Sequence, residues 1–236
     1  MRCIWCHNPE SQVCYPELTT KSVIVNEKKF ETSETTGQWM TVEDVLKTVE
    51  KDSIFYDESK GGVTVSGGEP LFQIDFIEEL INSLKLKGFH VTVDTSGYAP
   101  ESSFKRIADN TDLFLYDIKL IDKDEHIQNT GVSNDIILSN LMWLAGEGKK
   151  IVLRFPVIPG ITDTRKNIAG LTGLLLQLKE QIAEIDLLPY HSMASHKYKR
   201  LDKDYRLGQL KDVTPEELTV LQKEIEKTGF KVKIGG

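Results

Sequence analysis

Apolar residues fall into two kinds of run along the chain. Short, β-branched runs bounded by turn residues occur at 62–66, 90–94, 113–117, 151–155, 185–188 and 230–234, and each predicts a strand. Between them apolar residues recur at helical spacing. A helix is predicted over 41–55, with Thr41 as its N-cap and Asp44 in its first turn. A second covers 75–86, with Phe76, Leu80, Ile81 and Leu84 on one face and Gly88 as its stop. Others are predicted over 100–108, 134–147 and 163–183. The last covers 215–228, where Thr214 caps, Pro215 takes the first position and Glu216-Glu217 favour the positive end. Strands thus alternate with helices about six times, the pattern of right-handed βαβ units and a parallel sheet, either doubly wound or barrel-like. Residues 1–40 are polar and irregular. Val23-Ile24-Val25 and Lys28-Lys29-Phe30 suggest a short hairpin turning at Asn26-Glu27.

Unusual polar residues gather at the ends of the predicted strands. Ser66-Gly67-Gly68-Glu69-Pro70 ends the first and Asp94-Thr95-Ser96-Gly97 the second. Asp117-Ile118-Lys119 ends the third, Arg154 lies near the end of the fourth, and Pro189-Tyr190-His191 follows the fifth. In a parallel sheet these ends share one face, where such folds bind their ligands. A single strand-end Asp is usually a cap and Gly-Gly usually a turn; five in succession point to a shared site. Gly67-Gly68 lets backbone approach a ligand closely. Glu69 offers a carboxylate to a cationic group, Asp94 and Asp117 suit a cation or ribose hydroxyls, and Lys119 and Arg154 suit a carboxylate. That combination fits an amino-acid nucleoside. The competing reading makes Lys119 and Arg154 rim salt bridges to Asp117 or Glu69, worth little, and His191 a loop histidine without a ligand.

Composition narrows the class. With 29 Lys+Arg against 36 Asp+Glu, the net charge of −7 gives no global attraction for nucleic acid or anionic lipid. No apolar run approaches the ~18 residues of a membrane helix, and no leader pattern is present at the start, so a cytoplasmic protein is expected. The three cysteines lie within the first 14 residues, which excludes a disulfide framework and points to metal or redox work. Cys3-Ile4-Trp5-Cys6-His7 has three ordinary readings. It could be half of a zinc site completed by His7 and Cys14, a redox pair, or part of an iron–sulfur ligand set with Cys14 as a third thiolate. A redox pair usually opens a helix after a strand, which is not available here. The motif alone leaves these open.

In combination, Cys-Ile-Trp-Cys-His-Asn-Pro-Glu-Ser-Gln at 3–12 and Gly-Gly-Val-Thr-Val-Ser-Gly-Gly-Glu-Pro-Leu at 61–71 resemble the radical S-adenosylmethionine (SAM) enzymes. Within them the chain resembles the activating enzymes of glycyl radical enzymes, including the pyruvate formate-lyase activating family. The likeness continues through Asp94–Gly97, Asp117–Lys119, Thr130–Asn134, Arg154–Gly160, Leu188–His191 and Lys197-Tyr198, nearly the whole chain.

The resemblance implies one radical SAM domain over 1–236, with a cluster loop and vestigial insert at 1–40 and βα units at 41–236. The implied fold is a partial (β/α)6-type TIM barrel of parallel strands with its first strand missing. It implies that Cys3 and Cys6 hold irons of a [4Fe–4S] cluster, matching the second and third cysteines of the family's C-x3-C-x2-C signature. Trp5 matches an aromatic near the cofactor adenine. Gly67, Gly68 and Glu69 match the motif for the SAM amino group. Asp94, Thr95 and Asp117 match positions near SAM and a monovalent cation, and Lys119, Arg154 and His191 match positions around the SAM carboxylate and ribose. The implied reaction is one-electron cleavage of SAM to methionine and a 5′-deoxyadenosyl radical, which takes a hydrogen from a backbone glycine of a partner glycyl radical enzyme. The abstraction itself demands no acid or base. An electron donor such as flavodoxin or ferredoxin is implied, with no nucleic acid or membrane partner.

Two departures stand out. The first signature cysteine would lie four residues before Cys3, ahead of Met1, so an N-terminally shortened chain that binds a cluster poorly is expected. The ferredoxin-like insert of many relatives is reduced to Cys14, a bystander. The alternatives are a radical SAM enzyme acting on a small molecule and a SAM-binding remnant without cluster chemistry.

Overall fold

The computed structural model describes residues 1–25, 28–178, 181–192, 194–201, 203–208 and 210–235. After a 3₁₀ turn over Pro9–Gln12 comes an antiparallel hairpin of β1 (Glu17–Val25) and β2 (Lys28–Thr36). Then follow α1 (Val42–Glu50), α2 (Ser53–Ser59), β3 (Val63–Val65), α3 (Ile74–Leu86), β4 (Val91–Thr95), α4 (Glu101–Ile107) and β5 (Leu113–Asp117). The series continues with α5 (Lys123–Thr130), α6 (Asp135–Gly146), β6 (Ile151–Val157), α7 (Arg165–Gln177), β7 (Ile182–Pro189), α8 (Ala194–Arg200), α9 (Pro215–Glu226) and β8 (Val232–Ile234).

Strands β3 to β8 form one parallel sheet in sequence order, β3-β4-β5-β6-β7-β8. That order decides between the two architectures the alternation allowed. A doubly wound sheet reverses its strand order at a switch point, whereas a barrel-like sheet runs in one direction. The sheet is a partial barrel, with β3 an edge that pairs only β4 among the described strands.

The strands form because their β-branched and aromatic residues are buried on the sheet. Val91, Val93, Phe114, Tyr116, Ile151, Leu153, Phe155, Ile185 and Leu187 are all nearly inaccessible. Helices cover the sheet through Leu80, Ile81 and Leu84 of α3, Leu141 and Leu144 of α6, Leu171 and Leu175 of α7, and Leu221 and Ile225 of α9. Burying each such side chain contributes about 1.5–3 kcal/mol. Caps set where the helices begin. Thr41 with Asp44, and Thr214 with Glu217, each form a reciprocal capping box. No helix among the described residues is long and apolar enough to cross a membrane.

Several predicted bounds shift for physical reasons. The helix expected over 41–55 breaks into α1 and α2, because Asp52 leaves helical geometry (φ −101, ψ 9). Val45, Leu46 and Val49 pack on the core, while Ile54 and Phe55 face solvent. The helix expected over 163–183 starts after the Thr164 cap and ends at Leu178. Residues 179 and 180 lie outside the described residues, and β7 starts at Ile182, earlier than expected, since Ile182 pairs beside Ile151. The hairpin is longer than expected, from Glu17↔Thr36 to Val25↔Lys28, and its Asn26-Glu27 turn lies outside the described residues. Helices α5 and α8 were not expected, because both are polar. In α5 the signal was in its ends: Asp122 caps it, and Gly131 closes it at φ +82.

Candidate functional site

The C-terminal ends of the parallel strands hold the polar cluster. After β3 the chain turns through Gly67 and Gly68 to Glu69, whose carboxylate caps the 3₁₀ turn Pro70–Gln73. Glu69 Oε1 accepts from Leu71 N at 3.3 Å and Thr95 Oγ1 at 2.8 Å. Its Oε2 accepts from Ser96 N at 3.0 Å and from the Ser96 hydroxyl. Burial pushes its pKa up, and the Ser96 and Thr95 bonds work against that rise. Four donors therefore fix this carboxylate in one orientation. Gly68 is required by close approach. A Cβ there would stand 2.3 Å from the Ser11 carbonyl oxygen, so the glycine loop packs directly on the cysteine loop. Gly97 (φ +75) leaves room in the same way for the Tyr116 hydroxyl.

The neighbouring strands supply charges that alternate in sign. Register sets Asp117 of β5 beside Arg154 of β6, and Arg154 beside Asp186 of β7. Arg154 Nη1 lies 2.7 Å from Asp94 Oδ2, and its Nε 3.9 Å from Asp117 Oδ1. Asp94 Oδ2 also accepts from Ser66 Oγ at 2.9 Å. Lys119 Nζ bonds Asp117 Oδ2 at 2.9 Å. Burial works against the Lys119 charge, but Asp117, Cys3 and Glu69 outweigh it and hold the amine protonated. Arg154 behaves likewise: burial opposes its charge, and Asp117 and Asp94 restore it. Two buried atoms of cleft-lining residues, Asp117 Oδ1 and Arg154 Nε, make no hydrogen bond within the protein; neither does Asp186 Oδ1, on β7 beside Arg154 and outside the cleft lining. Unsatisfied polar atoms clustered at a strand-end cleft mark a place prepared for an outside partner.

The cysteine turn forms the third wall. Cys6 N donates to Cys3 O at 3.1 Å, and Arg2 N and Ile4 N donate to Thr130 O and Asn129 O at 2.8 and 3.0 Å. Trp5 is buried against Leu120, Ile158 and Tyr190. Burial raises the Cys3 pKa, with Lys119 pulling the other way. His7 lies edge-on to Tyr190, with ring centroids 6.3 Å apart. Burial, then His191 and Lys197, lower its pKa, so its ring is neutral at pH 7. The Tyr198 hydroxyl is pushed up to about 12, first by burial and then by the negative charge that Cys6 and Cys3 carry as thiolates.

These walls enclose one cleft of about 1030 Å³. Every residue expected at the site lines it: Cys3, Trp5, Cys6, Gly67, Gly68, Glu69, Asp94, Thr95, Asp117, Lys119, Arg154 and His191. Cys14 lines it too, although its residue is exposed. The salt-bridge reading of Lys119 and Arg154 also describes real contacts, since both pair with aspartates of the cleft. Sequence reasoning missed the residues that hold the loops. Asn140 of α6 donates to Gly97 O and Ala99 O at 2.9 and 2.8 Å. Asn167 of α7 donates to Lys119 O at 2.9 Å and accepts from Ile121 N at 2.8 Å. Their signal was an asparagine at an otherwise apolar, inward position of a helix. Ser96 stands out in the sequence only as part of the Asp94–Gly97 motif, and Asp186 only as part of the apolar run 185–188.

The Radical SAM superfamily model matches residues 1–171. The trans-4-hydroxy-L-proline dehydratase activating enzyme of Clostridioides difficile is 38% identical, over 100% of this chain and 90% of that protein. The indoleacetate decarboxylase activating enzyme of Tractidigestivibacter scatoligenes is 39% identical over 83% of this chain, which spans only 61% of that relative's length. Among solved structures, a domain of pyruvate-formate lyase-activating enzyme from Bacteroides vulgatus superposes with a TM-score of 0.63 at 28% identity. It covers 75% of this chain and 99% of that domain.

Proposed function

The chain belongs to the radical SAM superfamily and, within it, to the activating enzymes of glycyl radical enzymes, and we propose that its cleft serves that reaction. SAM binds in the cleft and is cleaved reductively, and the resulting 5′-deoxyadenosyl radical takes a hydrogen from a backbone glycine of a partner glycyl radical enzyme. The observation that carries the reading is that the Gly67–Glu69 loop, the Asp–Arg–Lys row and the cysteine turn share one cleft.

SAM fits the groups present. Glu69, fixed by four donors, takes the ammonium. Arg154 and Lys119 take the carboxylate; Arg154 Nε makes no hydrogen bond within the protein and stands 3.9 Å from Asp117 Oδ1. Asp94 and Thr95 take ribose hydroxyls, Trp5 backs the adenine, and His191 closes the rim. Asp117 Oδ1, buried and without a hydrogen bond, is the acceptor a monovalent cation would use. The family also implies an iron–sulfur cluster, which supplies the electron for cleavage when bound. Cys3 and Cys6 fit two of its protein ligands. Among the described residues no group of three His, Cys, Asp or Glu could hold a single metal ion, and Cys3 and Cys6 are the two thiols this reading assigns to the cluster. The chain's own task is to hold SAM in one orientation, exclude water and admit a peptide loop.

The one-electron cleavage calls for an electron donor, which we take to be a small redox protein in a reducing, cytoplasmic setting. The full-length protein, reconstituted anaerobically and given SAM and a reductant, is expected to release 5′-deoxyadenosine and methionine. No 5′-deoxyadenosine with iron and sulfide loaded overturns the reading, and failure to take up iron and sulfide overturns it in favour of a SAM-binding remnant.

A further inference from the structure

Two lysines from the last third of the chain reach the loop that follows Cys6. Lys197 of α8 places Nζ 2.6 Å from Asn8 Oδ1 and 2.9 Å from Glu10 Oε1. Lys203 places Nζ 3.1 Å from Pro9 O and 3.3 Å from Glu17 Oε2. Their side chains are 41% and 29% exposed, and those of Glu10 and Glu17 only 22% and 23%, so these are not fully solvated surface pairs. The acceptors are also mixed in kind: an amide, a backbone carbonyl and two carboxylates. An ammonium has three donors and can serve such a set, whereas an ordinary surface pair engages one carboxylate.

The cysteine loop needs holding. The bonds from Arg2 and Ile4 to residues 129 and 130 fix it only upstream of Trp5. Downstream its backbone bonds are internal, Cys6 N to Cys3 O and Ser11 N to Asn8 O, and its one regular element is the four-residue turn Pro9–Gln12. A site whose side chains must sit within a fraction of an ångström needs support from rigid neighbours.

We propose that Lys197 and Lys203 are positioning residues, a two-point strap that fixes the Cys3–Cys6 turn against the cleft. The proposal deepens the functional reading and rests on it, because it assigns the turn a ligand-holding role. The strap joins residues 197 and 203 to the loop between residues 8 and 17, so the segment after β7 completes the cysteine wall.

The test is thiol alkylation of the metal-free, full-length protein by iodoacetamide, read at each cysteine by mass spectrometry. Cys14 is exposed and serves as the internal reference. In a Lys197→Met, Lys203→Met double variant the Cys6-to-Cys14 labelling ratio is expected to rise about fivefold, the order for losing partly exposed ionic contacts. Each single variant is expected to give a smaller rise, and Lys197→Arg is expected to return the ratio toward wild type. Melting temperatures are recorded alongside. An unchanged ratio overturns the proposal. So does a rise that only tracks global unfolding, or one that Lys197→Arg leaves in place. Binding of S-adenosylhomocysteine to the wild type is measured in parallel. Its absence would count against the functional reading while the labelling ratio still decides the strap.

Discussion

Replacing Glu69 by glutamine separates its two duties. The carboxylate accepts from Leu71 N, Thr95 Oγ1, Ser96 N and the Ser96 hydroxyl. A glutamine can turn its oxygen toward Ser96, keeping both bonds there. Its NH₂ then faces the Thr95 hydroxyl, which can rotate to accept, and Leu71 N, which cannot. The protein therefore loses one long bond of 3.3 Å, at a cost of about 1 kcal/mol. That lowers the melting temperature of a chain this size by about 2–4 °C. The ligand loses more: a charge-assisted contact to an ammonium contributes about 1.5–3 kcal/mol, or about 10- to 150-fold in affinity. Calorimetry with S-adenosylhomocysteine measures this, and adenosine, which lacks the amino-acid moiety, is the control. Glu69→Gln is expected to weaken S-adenosylhomocysteine and leave adenosine unchanged. Equal weakening of both would mean that the loop had collapsed, and no change for either would remove Glu69 from the ammonium site.

Gly68→Ala sets a methyl 2.3 Å from the Ser11 carbonyl; it is expected to cost about 1–3 kcal/mol and to weaken S-adenosylhomocysteine binding, as read by melting and calorimetry. Asn140→Ala removes the donor shared by two buried carbonyls. A loss of about 1–3 kcal/mol is expected, with faster hydrogen exchange confined to the 96–99 loop. Asp112 tests acid stability. Its carboxyl is opposed by partial burial but held below its ordinary 3.8 by Lys85 and Val91 N. The unfolded chain then binds the proton more readily, so the stabilisation is full above the unfolded value and is lost as pH falls through the folded one. The stability gap between wild type and Asp112→Asn in denaturant titrations is expected to be flat above about pH 5 and to shrink below 3.8.

Much of this architecture was legible because the strands are β-branched runs closed by glycine, aspartate or proline. The run Val91–Val93 followed by Asp94 carries both its own burial and its place at the ligand face. Thr41 and Thr214 announced their helices because a cap is a local interaction. What stayed hidden was non-local. Nothing near Ser96 says that Glu69, 27 residues away, will accept both its donors. Asn140 reads as a polar lapse in an apolar helix until the 96–99 loop is seen above it. Helix α5 lacks an apolar period because it buries little beyond His126 and Thr130, each satisfied by its own hydrogen bonds.

Most directly at stake is the spending of a radical, made from SAM in this cleft, on a glycine of another protein. It is tested by supplying the reconstituted full-length protein with SAM, a reductant and a candidate glycyl radical enzyme whose glycines carry deuterium at the α-carbon. The expected product is 5′-deoxyadenosine bearing one deuterium, with a glycyl radical signal on the partner in electron paramagnetic resonance. Cleavage of SAM that leaves 5′-deoxyadenosine unlabelled across the candidate partners, while a small molecule supplies the hydrogen instead, would contradict it.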